Sequence, residues 1–264
     1  MGVQTHWEKV YGEKAPNAVS WYAPHLARSL EIIERAAPSH SASIIDVGGG
    51  ESTLVDDLLA YGYQNITVLD VSQIAIDVTR KRLATASERI RWIVGNVTKA
   101  EFAPRAYDVW HDRAVFHFLT AGDERLAYVR QVANAVKPGG HVLVSTFGTE
   151  RPTKCSGLDV VRYNAQSLHR EFGVRFRLLE SCEAASHAVW DRPAVSLLPV
   201  QGRTIRSVRS RETRISQRLS TMYSPRLMKT SGTIQWPNRS TARKMTGRSP
   251  SHLPTKHQIG NSTT

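Results

Sequence analysis

One decapeptide constrains this chain more than any other feature: Ser43-Ile44-Ile45-Asp46-Val47-Gly48-Gly49-Gly50-Glu51-Ser52. It reads as a short buried strand that ends in a carboxylate and runs into a glycine turn. About 20 residues on, Asn65-Ile66-Thr67-Val68-Leu69-Asp70 reads as a second strand, again ending in a carboxylate. Glycine turns bring backbone close to a nucleotide-like ligand, and an acid at that distance can grip ribose hydroxyls. Asp46 narrows the choice, because a carboxylate just before the turn repels a pyrophosphate and suits a ligand carrying positive charge there. The amino acid end of S-adenosylmethionine is such a ligand.

Further along, strand and helix signals alternate. The pattern predicts helices over Thr53–Ala60, from the N-cap Ser72 through Leu83, over Asp123–Val136 and over Ala165–Phe172. It predicts strands at Ile90–Val94, Tyr107–His111, His141–Thr146 and Arg175–Leu179, with Lys137-Pro138-Gly139-Gly140 as a turn. Residues 1–40 read as mostly helical, with an aromatic-rich start (Trp7, Tyr11, Trp21, Tyr22) and a helix that Pro38 ends. The expected fold class is therefore α/β: a Rossmann-like, mostly parallel sheet with helices on both faces, an N-terminal helical lid and a disordered basic C-terminal tail. In such sheets ligands bind beyond the carboxyl ends of the strands. Asp46, Asp70, Asn96 and the pair His111-Asp112 all fall at or just past strand ends.

Charge divides the 264 residues unevenly. Residues 1–187 hold 21 basic and 21 acidic side chains, whereas residues 188–264 hold 14 basic and 2 acidic. The formal net charge of +12 thus sits wholly in the tail. There the helical and strand periodicity is lost and Arg, Ser, Thr and Pro dominate, a composition that cannot bury enough apolar surface to fold alone. The expected division is a lid over 1–40, a cofactor-binding domain over 41–187 and a tail over 188–264. Two cysteines, Cys155 and Cys182, make neither a disulfide framework nor a paired-cysteine metal motif, so no metal is expected. The N-terminus lacks a signal-peptide pattern and no run is apolar and long enough to span a membrane, so a cytoplasmic protein without a membrane partner is expected.

These motifs resemble class I S-adenosylmethionine-dependent methyltransferases, and more closely a bacterial small-molecule branch related to the thiopurine methyltransferase group. The resemblance covers about residues 5–187. It rests on His6-Trp7-Glu8-Lys9-Val10-Tyr11, Val19-Ser20-Trp21-Tyr22, Asp46-Val47-Gly48-Gly49-Gly50, Leu69-Asp70-Val71-Ser72, Gly95-Asn96-Val97-Thr98, Trp110-His111-Asp112-Arg113-Ala114-Val115-Phe116-His117 and Lys137-Pro138-Gly139-Gly140, in that order and spacing. It implies that Asp46 anchors the methionine amine, that Gly48, Gly49 and Gly50 let backbone pass under the cofactor, and that Asp70 takes the ribose hydroxyls. Val71 would lie against the adenine, and Asn96 and Val97 would meet its edge, with the Asn96 carbonyl accepting from the adenine amine where the family usually has Asp. Tyr11 and Trp21 would lid the pocket, since aromatic faces suit a sulfonium. The chemistry implied is in-line methyl transfer to a small-molecule acceptor, with the cofactor supplying the reactivity and the protein alignment and a dry site. His111, Asp112 and His117 are the candidates for a general base, if the acceptor must lose a proton. The bland alternatives are an Asp112–Arg113 structural ion pair, a packing role for His117, and core aromatics at Tyr11 and Trp21.

The resemblance stops near His187. Relatives end on a strand reading roughly Pro-Phe-Gly-Thr-acid-Gln-Gln-Phe-Leu-Tyr-Cys-Arg-Phe-Arg, and a one-base shift in the codons from Ala188 onward can recover that ending. Residues from about 188 are thus read as a frame-shifted extension, with the last sheet strand missing and Val195–Val200 only a poor substitute. Other functions compete. A nucleic-acid methyltransferase could use the basic tail on phosphates, but no Asn/Asp-Pro-Pro-aromatic signature follows the fourth strand, so a nucleic-acid partner is not expected. A cofactor-binding protein without activity is a third reading. A dinucleotide dehydrogenase fits least, because Thr53 stands where its fingerprint wants glycine. Oligomeric state is not encoded in these patterns.

Overall fold

Ile44, Ile45 and Val47 are inaccessible on both sides of their strand, as expected of a central strand in a parallel sheet covered on both faces. A computed structural model of the chain describes residues 2–182 and the strand Ala194–Pro199. These residues fall in one unit, Met1–Ser224, while a second unit, Pro225–Thr264, lies outside the described residues. The strands are β1 (Ser43–Val47), β2 (Asn65–Asp70), β3 (Ile90–Val94), β4 (Tyr107–Arg113), β5 (Val136–Ser145), the two-residue pair β6 (Lys154–Cys155) and β7 (Leu158–Asp159), β8 (Phe176–Cys182) and β9 (Ala194–Pro199). The helices are α1 (Val3–Glu13), α2 (Ala27–Ala36), α3 (Leu54–Ala60), α4 (Gln73–Leu83), α5 (Gly122–Ala135) and α6 (Ala165–Phe172). The main sheet runs β3-β2-β1-β4-β5-β9-β8, parallel from β3 to β5, with β9 antiparallel to both its neighbours. This is the Rossmann-like, mostly parallel sheet expected from the alternating elements.

Strand alternation sorts the core into two layers. Ile45, Val47, Trp110, Val142 and Val144 face a layer with Tyr128, Val132 and Ala135 of α5 and Leu168 and Phe172 of α6. Ile44, Val68, Val109 and Leu143 face the other, with Leu30 and Ile33 of α2 and Leu54 and Leu58 of α3. Helices therefore cover both faces. At about 25 cal/mol per Å² of apolar area removed from water, these layers are the main source of stability.

Four expectations change in detail. Residues 14–26 are largely turns rather than helix, and α2 packs wholly within the second core layer. The Lys137–Gly140 turn becomes an irregularity inside β5, between the Tyr107–Val136 and Val109–His141 pairings, with Gly139 at φ 76° taking the left-handed bend. β4 runs two residues beyond His111, to Arg113, which carries its side chains out to the rim. The place of the last strand is taken by Ala194–Pro199, nearly the segment expected as a poor substitute, which pairs with both β5 and β8, with Leu197 opposite Val142 and Val195 opposite Val144. Its β-branched and apolar residues satisfy a strand pattern, and Pro199, which cannot donate to a ladder, falls at the strand's end. The expected disorder and frame shift over the rest of 188–264 lie outside the described residues. No helix among the described residues is long and apolar enough to cross a membrane.

Candidate active site

The glycine turn is bolted to β2. The Gly48 and Gly49 N–H groups both donate to the Leu69 carbonyl (2.7 and 3.2 Å), and the Gly50 N–H donates to Asp70 Oδ2 (3.0 Å). Gly48 has φ 71°, a left-handed conformation, and any side chain there would drive into Val115. A Cβ on Gly50 would collide with Ala75 and the Asp70 carboxylate. The turn is therefore glycine because backbone must lie flat against β2 and α4. Asp70 Oδ1 accepts from the Ser72 N–H (2.9 Å), and Ser72 in turn caps α4 by accepting from the Ala75 N–H (3.2 Å). Burial, helped by the nearby Asp46 charge, lifts the Asp70 carboxyl to about 6 despite hydrogen bonds from Ser72, Gly50 and Val71.

Beyond this rim opens a cavity of about 430 Å³. Gly48, Asp70, Val71, Asn96 and Val97 line it, and Trp7, Trp21 and Phe118 bound it as an aromatic wall. Trp7 meets Phe118 and Trp21 edge to face, with ring centroids 5.2 and 5.8 Å apart. Tyr11 stands behind that wall, tilted on Trp7 (5.7 Å) and edge-on to Trp21 (6.1 Å), rather than lining the cavity itself. Burial and then the Asp70 and Glu51 charges hold its phenol well above the usual range, so it stays protonated. Trp21, Gly48 and Arg113 also line an adjoining recess of about 40 Å³, together with Asp46 and Glu51.

The cofactor-site positions expected from the sequence thus converge. Gly48, Asp70, Val71, Asn96, Val97 and Trp21 share the large cavity, Asp46 faces the recess, and Gly49 and Gly50 complete the turn. The Asn96 carbonyl oxygen accepts from the Thr98 N–H (2.9 Å) and hydroxyl (2.8 Å), so its two lone pairs are engaged within the loop.

The expected bases do not join them. His111 pairs in register with Asp46 and points to the same sheet face, where its Nδ1 meets Asp46 Oδ1 (2.7 Å) and its Nε2 meets Ser29 Oγ of α2 (2.9 Å). Asp112 points to the opposite face, is inaccessible, and accepts from the Val115 N–H (2.8 Å), the Phe116 N–H (3.0 Å) and the Tyr128 hydroxyl (2.6 Å). It makes no ion pair with Arg113. His117 is buried edge-on between Phe118 and Phe147, with its Nδ1 accepting from the Phe147 N–H (3.3 Å). None of the three is among the residues lining either cavity. The placement of all three departs from the role of base expected of them: His111 is spent on Asp46 and Ser29, Asp112 on the turn after β4 and Tyr128, and His117 on the Phe147 N–H.

Three side chains in the site carried no predicted role toward a ligand. Glu8 of α1 reaches across to the start of α4, accepting from the Ser72 hydroxyl (2.7 Å) and the Gln73 (2.8 Å) and Ile74 (3.2 Å) N–H groups. Burial alone would raise its carboxyl, but these donors outweigh it and hold the group below its usual value. A carboxylate at a helix N-terminus also gains from the macrodipole. No residue of α1 is fully buried, so this contact and the Trp7 wall are its main anchorage. Glu8→Ala should therefore free α1 by about 1 kcal/mol. The measurable result is a roughly fivefold faster amide hydrogen exchange in α1 with the sheet unchanged. Glu51 follows the glycine turn and is 6% exposed, with both carboxylate oxygens lacking a hydrogen-bond partner among the described residues. Burial lifts it to about 7, with Arg82 opposing and Asp70 adding. Arg113 ends β4 on the His111 side of the sheet; its Nη1 donates to the Trp21 carbonyl (3.1 Å), and its buried Nη2 has no partner among the described residues.

Residues 44–140 match the model of the methyltransferase domain family. The chain is 26% identical over 142 residues to the eEF1A lysine and N-terminal methyltransferase of Bos taurus, covering 54% of this chain and 20% of that protein. It is 30% identical over 160 residues to a ubiquinone biosynthesis O-methyltransferase of Serratia proteamaculans, covering 60% and 62%. The chain thus spans a fifth to under two thirds of the length of these curated relatives. Burkholderia thailandensis 1,6-didemethyltoxoflavin-N1-methyltransferase, solved with 1,6-didemethyltoxoflavin and S-adenosylhomocysteine bound, shares the fold at TM-score 0.55 and 15% identity, over 75% of this chain and 84% of that one. Residues 44–140 therefore resemble a methyltransferase domain, set in a fold that solved methyltransferases share.

Proposed function

We propose that the protein transfers a methyl group from S-adenosylmethionine to a small-molecule acceptor. The observation that carries this reading is the rim itself: Asp70, hydrogen-bonded to the glycine turn and raised by burial, opens on a 430 Å³ cavity of nucleoside-compatible size and lining. Asp70 holds the ribose hydroxyls, Val71 and Val97 flank the adenine, and Asn96 donates to its edge. The bound cofactor supplies the electrophilic methyl. The chain orients it, and Trp7, Trp21 and Phe118 keep water out and offer π faces to the sulfonium. With His111, Asp112 and His117 engaged elsewhere, the reading needs no side-chain base, which suits an acceptor already nucleophilic at neutral pH, such as a thiolate or an unprotonated amine.

A small acceptor is favoured because Val3 and Trp7 of α1 line the cavity and Glu8 ties that helix to α4, so a segment of protein chain would have to pass it to reach the methyl group. The small-molecule branch related to thiopurine methyltransferases is the finer reading this supports. A protein acceptor is the second reading, favoured by the similarity to the eEF1A methyltransferase. The test is calorimetry with S-adenosylhomocysteine and NAD, followed by turnover on thiols, phenols, amines and a lysine-bearing protein panel. Binding of S-adenosylhomocysteine but not NAD, with transfer to small acceptors, is expected. Binding of NAD instead would refute the cofactor assignment, and transfer to protein alone would refute the acceptor class.

A further inference from the structure

One helix carries two kinds of contact on adjoining stripes. Val3 and Trp7, one turn apart on α1, line the large cavity, and Tyr11, a turn further on, backs Trp7. Glu8 and Gly12, also a turn apart, face α4. The Glu8 carboxylate accepts from the Ser72 hydroxyl (2.7 Å) and from the Gln73 and Ile74 N–H groups (2.8 and 3.2 Å), and a Cβ on Gly12 would stand 3.6 Å from Ile74 Cδ1. Little else holds α1 among the described residues. None of its residues is fully buried, Gly2 gives it no side-chain cap, and its Lys9–Glu13 ion pair (3.9 Å) joins two exposed side chains within the helix. Ser72 is buried and serves both acids at once: its hydroxyl donates to Glu8 while its N–H donates to Asp70 Oδ1 (2.9 Å). One residue therefore joins the carboxylate at the rim to the carboxylate that holds α1.

We infer that Glu8 is a positioning residue: it ties the docking of α1 to the occupancy of the cofactor site and sets how long the bound nucleoside stays. The inference rests on the proposed cofactor reading and adds to it a residue that does not itself line the cavity. A nucleoside held by Asp70 fixes Ser72 from the rim, and its body gives Val3 and Trp7 a surface to pack on. Both effects favour a docked α1. Linkage makes the coupling reciprocal, so a docked α1 retains the nucleoside by the same factor that the nucleoside retains α1. Without buried residues of its own, α1 belongs to the low-stability end of the fold and opens while the sheet stays folded. Val3 and Trp7 form part of the cavity wall, so a departing ligand needs that opening. Loss of the tie therefore falls on dissociation more than on association.

The test follows S-adenosylhomocysteine on the full chain by stopped flow and by amide hydrogen exchange. In the wild type, saturating ligand should slow exchange in α1 roughly tenfold more than in α6, whose residues do not line the cavity. Glu8→Ala should raise the dissociation rate roughly tenfold and the association rate by less than about twofold. Glu8→Gln keeps an acceptor without the charge and should raise dissociation only about threefold. Lys9→Ala, which breaks only the ion pair within α1, should leave dissociation within about twofold of wild type. Exchange in α1 that ignores the ligand, a Glu8→Ala dissociation rate equal to wild type, or a Lys9→Ala effect as large as that of Glu8→Ala overturns the coupling while leaving the cofactor reading standing. Should Glu8→Ala fail to fold, the wild-type exchange result and Glu8→Gln decide alone. A wild-type protein that does not bind S-adenosylhomocysteine overturns the cofactor reading and the coupling together.

Discussion

Asp70→Ala should lower affinity for S-adenosylhomocysteine by about 100-fold. Two charge-assisted hydrogen bonds to ribose hydroxyls, each contributing about 1.5 kcal/mol net, give about 3 kcal/mol, or about two decades in Kd. The substitution also strands the Gly50 and Ser72 N–H groups that the carboxylate now satisfies. A melting temperature lower by a few degrees should therefore accompany the binding loss, corresponding to about 1–2 kcal/mol. Titration well below that melting point separates the two effects. Unchanged binding by a folded Asp70→Ala protein would remove the rim from the cofactor site.

The same carboxylate makes binding depend on pH with a definite sign. In the ligand-free protein Asp70 is raised to about 6 and Glu51 to about 7, chiefly by burial. Both lie above the unfolded values near 4, so the folded state holds these protons longer. Their cost to folding is nil below about pH 4, grows as the pH climbs through the window from about 4 to 7, and is constant above it. A cationic ligand that needs the ionised acids shows the opposite trend, its affinity rising over the same window. From Asp70 alone, the Kd of S-adenosylmethionine should fall roughly tenfold between pH 5 and pH 8, with proton release on binding near pH 6. A Kd flat across that range, or one that rises with pH, would contradict the assignment.

Much of this was legible in the chain, and the limits have physical causes. Asp46, Gly48–Gly50 and Asp70 could be placed because a glycine turn after a buried strand has few other uses, and Asp46, Gly48 and Asp70 line the two adjoining spaces. The base candidates misled because sequence position gives nearness to the rim but not the face. Alternation along β4 would have placed His111 with Asp46 and Asp112 with Trp110, on opposite sides of the sheet. Counting that alternation one step further would have brought Arg113 to the rim beside Asp46. Glu8 was beyond reach in a different way, since its partners lie more than 60 residues away and no local pattern encodes a helix start on another element. β9 was legible only in part: Val195–Val200 read as a poor stand-in for the last strand because composition set the tail apart from the domain before it, while strand pairing depends on an open sheet edge that composition does not reveal.

Asp112→Ala should destabilise the protein by about 2–3 kcal/mol while leaving the chemistry of the site intact. The carboxylate holds the turn that follows β4, and its loss orphans the Val115 and Phe116 N–H groups and the Tyr128 hydroxyl, all in the core around Phe116 and Trp110. Each orphaned donor costs about 1 kcal/mol or more. Burial acts the other way: it raises Asp112 to about 6, against hydrogen bonds from Tyr128, Val115 and Phe116, so the ionised group already costs something at neutral pH. Together these leave a midpoint shift of roughly 5–10 °C for a domain of this size. Asp112→Asn keeps an acceptor for the turn and should lose less. Measured at a temperature where it is fully folded, Asp112→Asn should retain methyl transfer within about threefold of wild type, because the carboxylate braces the wall instead of touching the acceptor. A folded Asp112→Asn protein that binds S-adenosylhomocysteine normally yet has lost turnover would return Asp112 to the role of base and require the turn to open during the reaction.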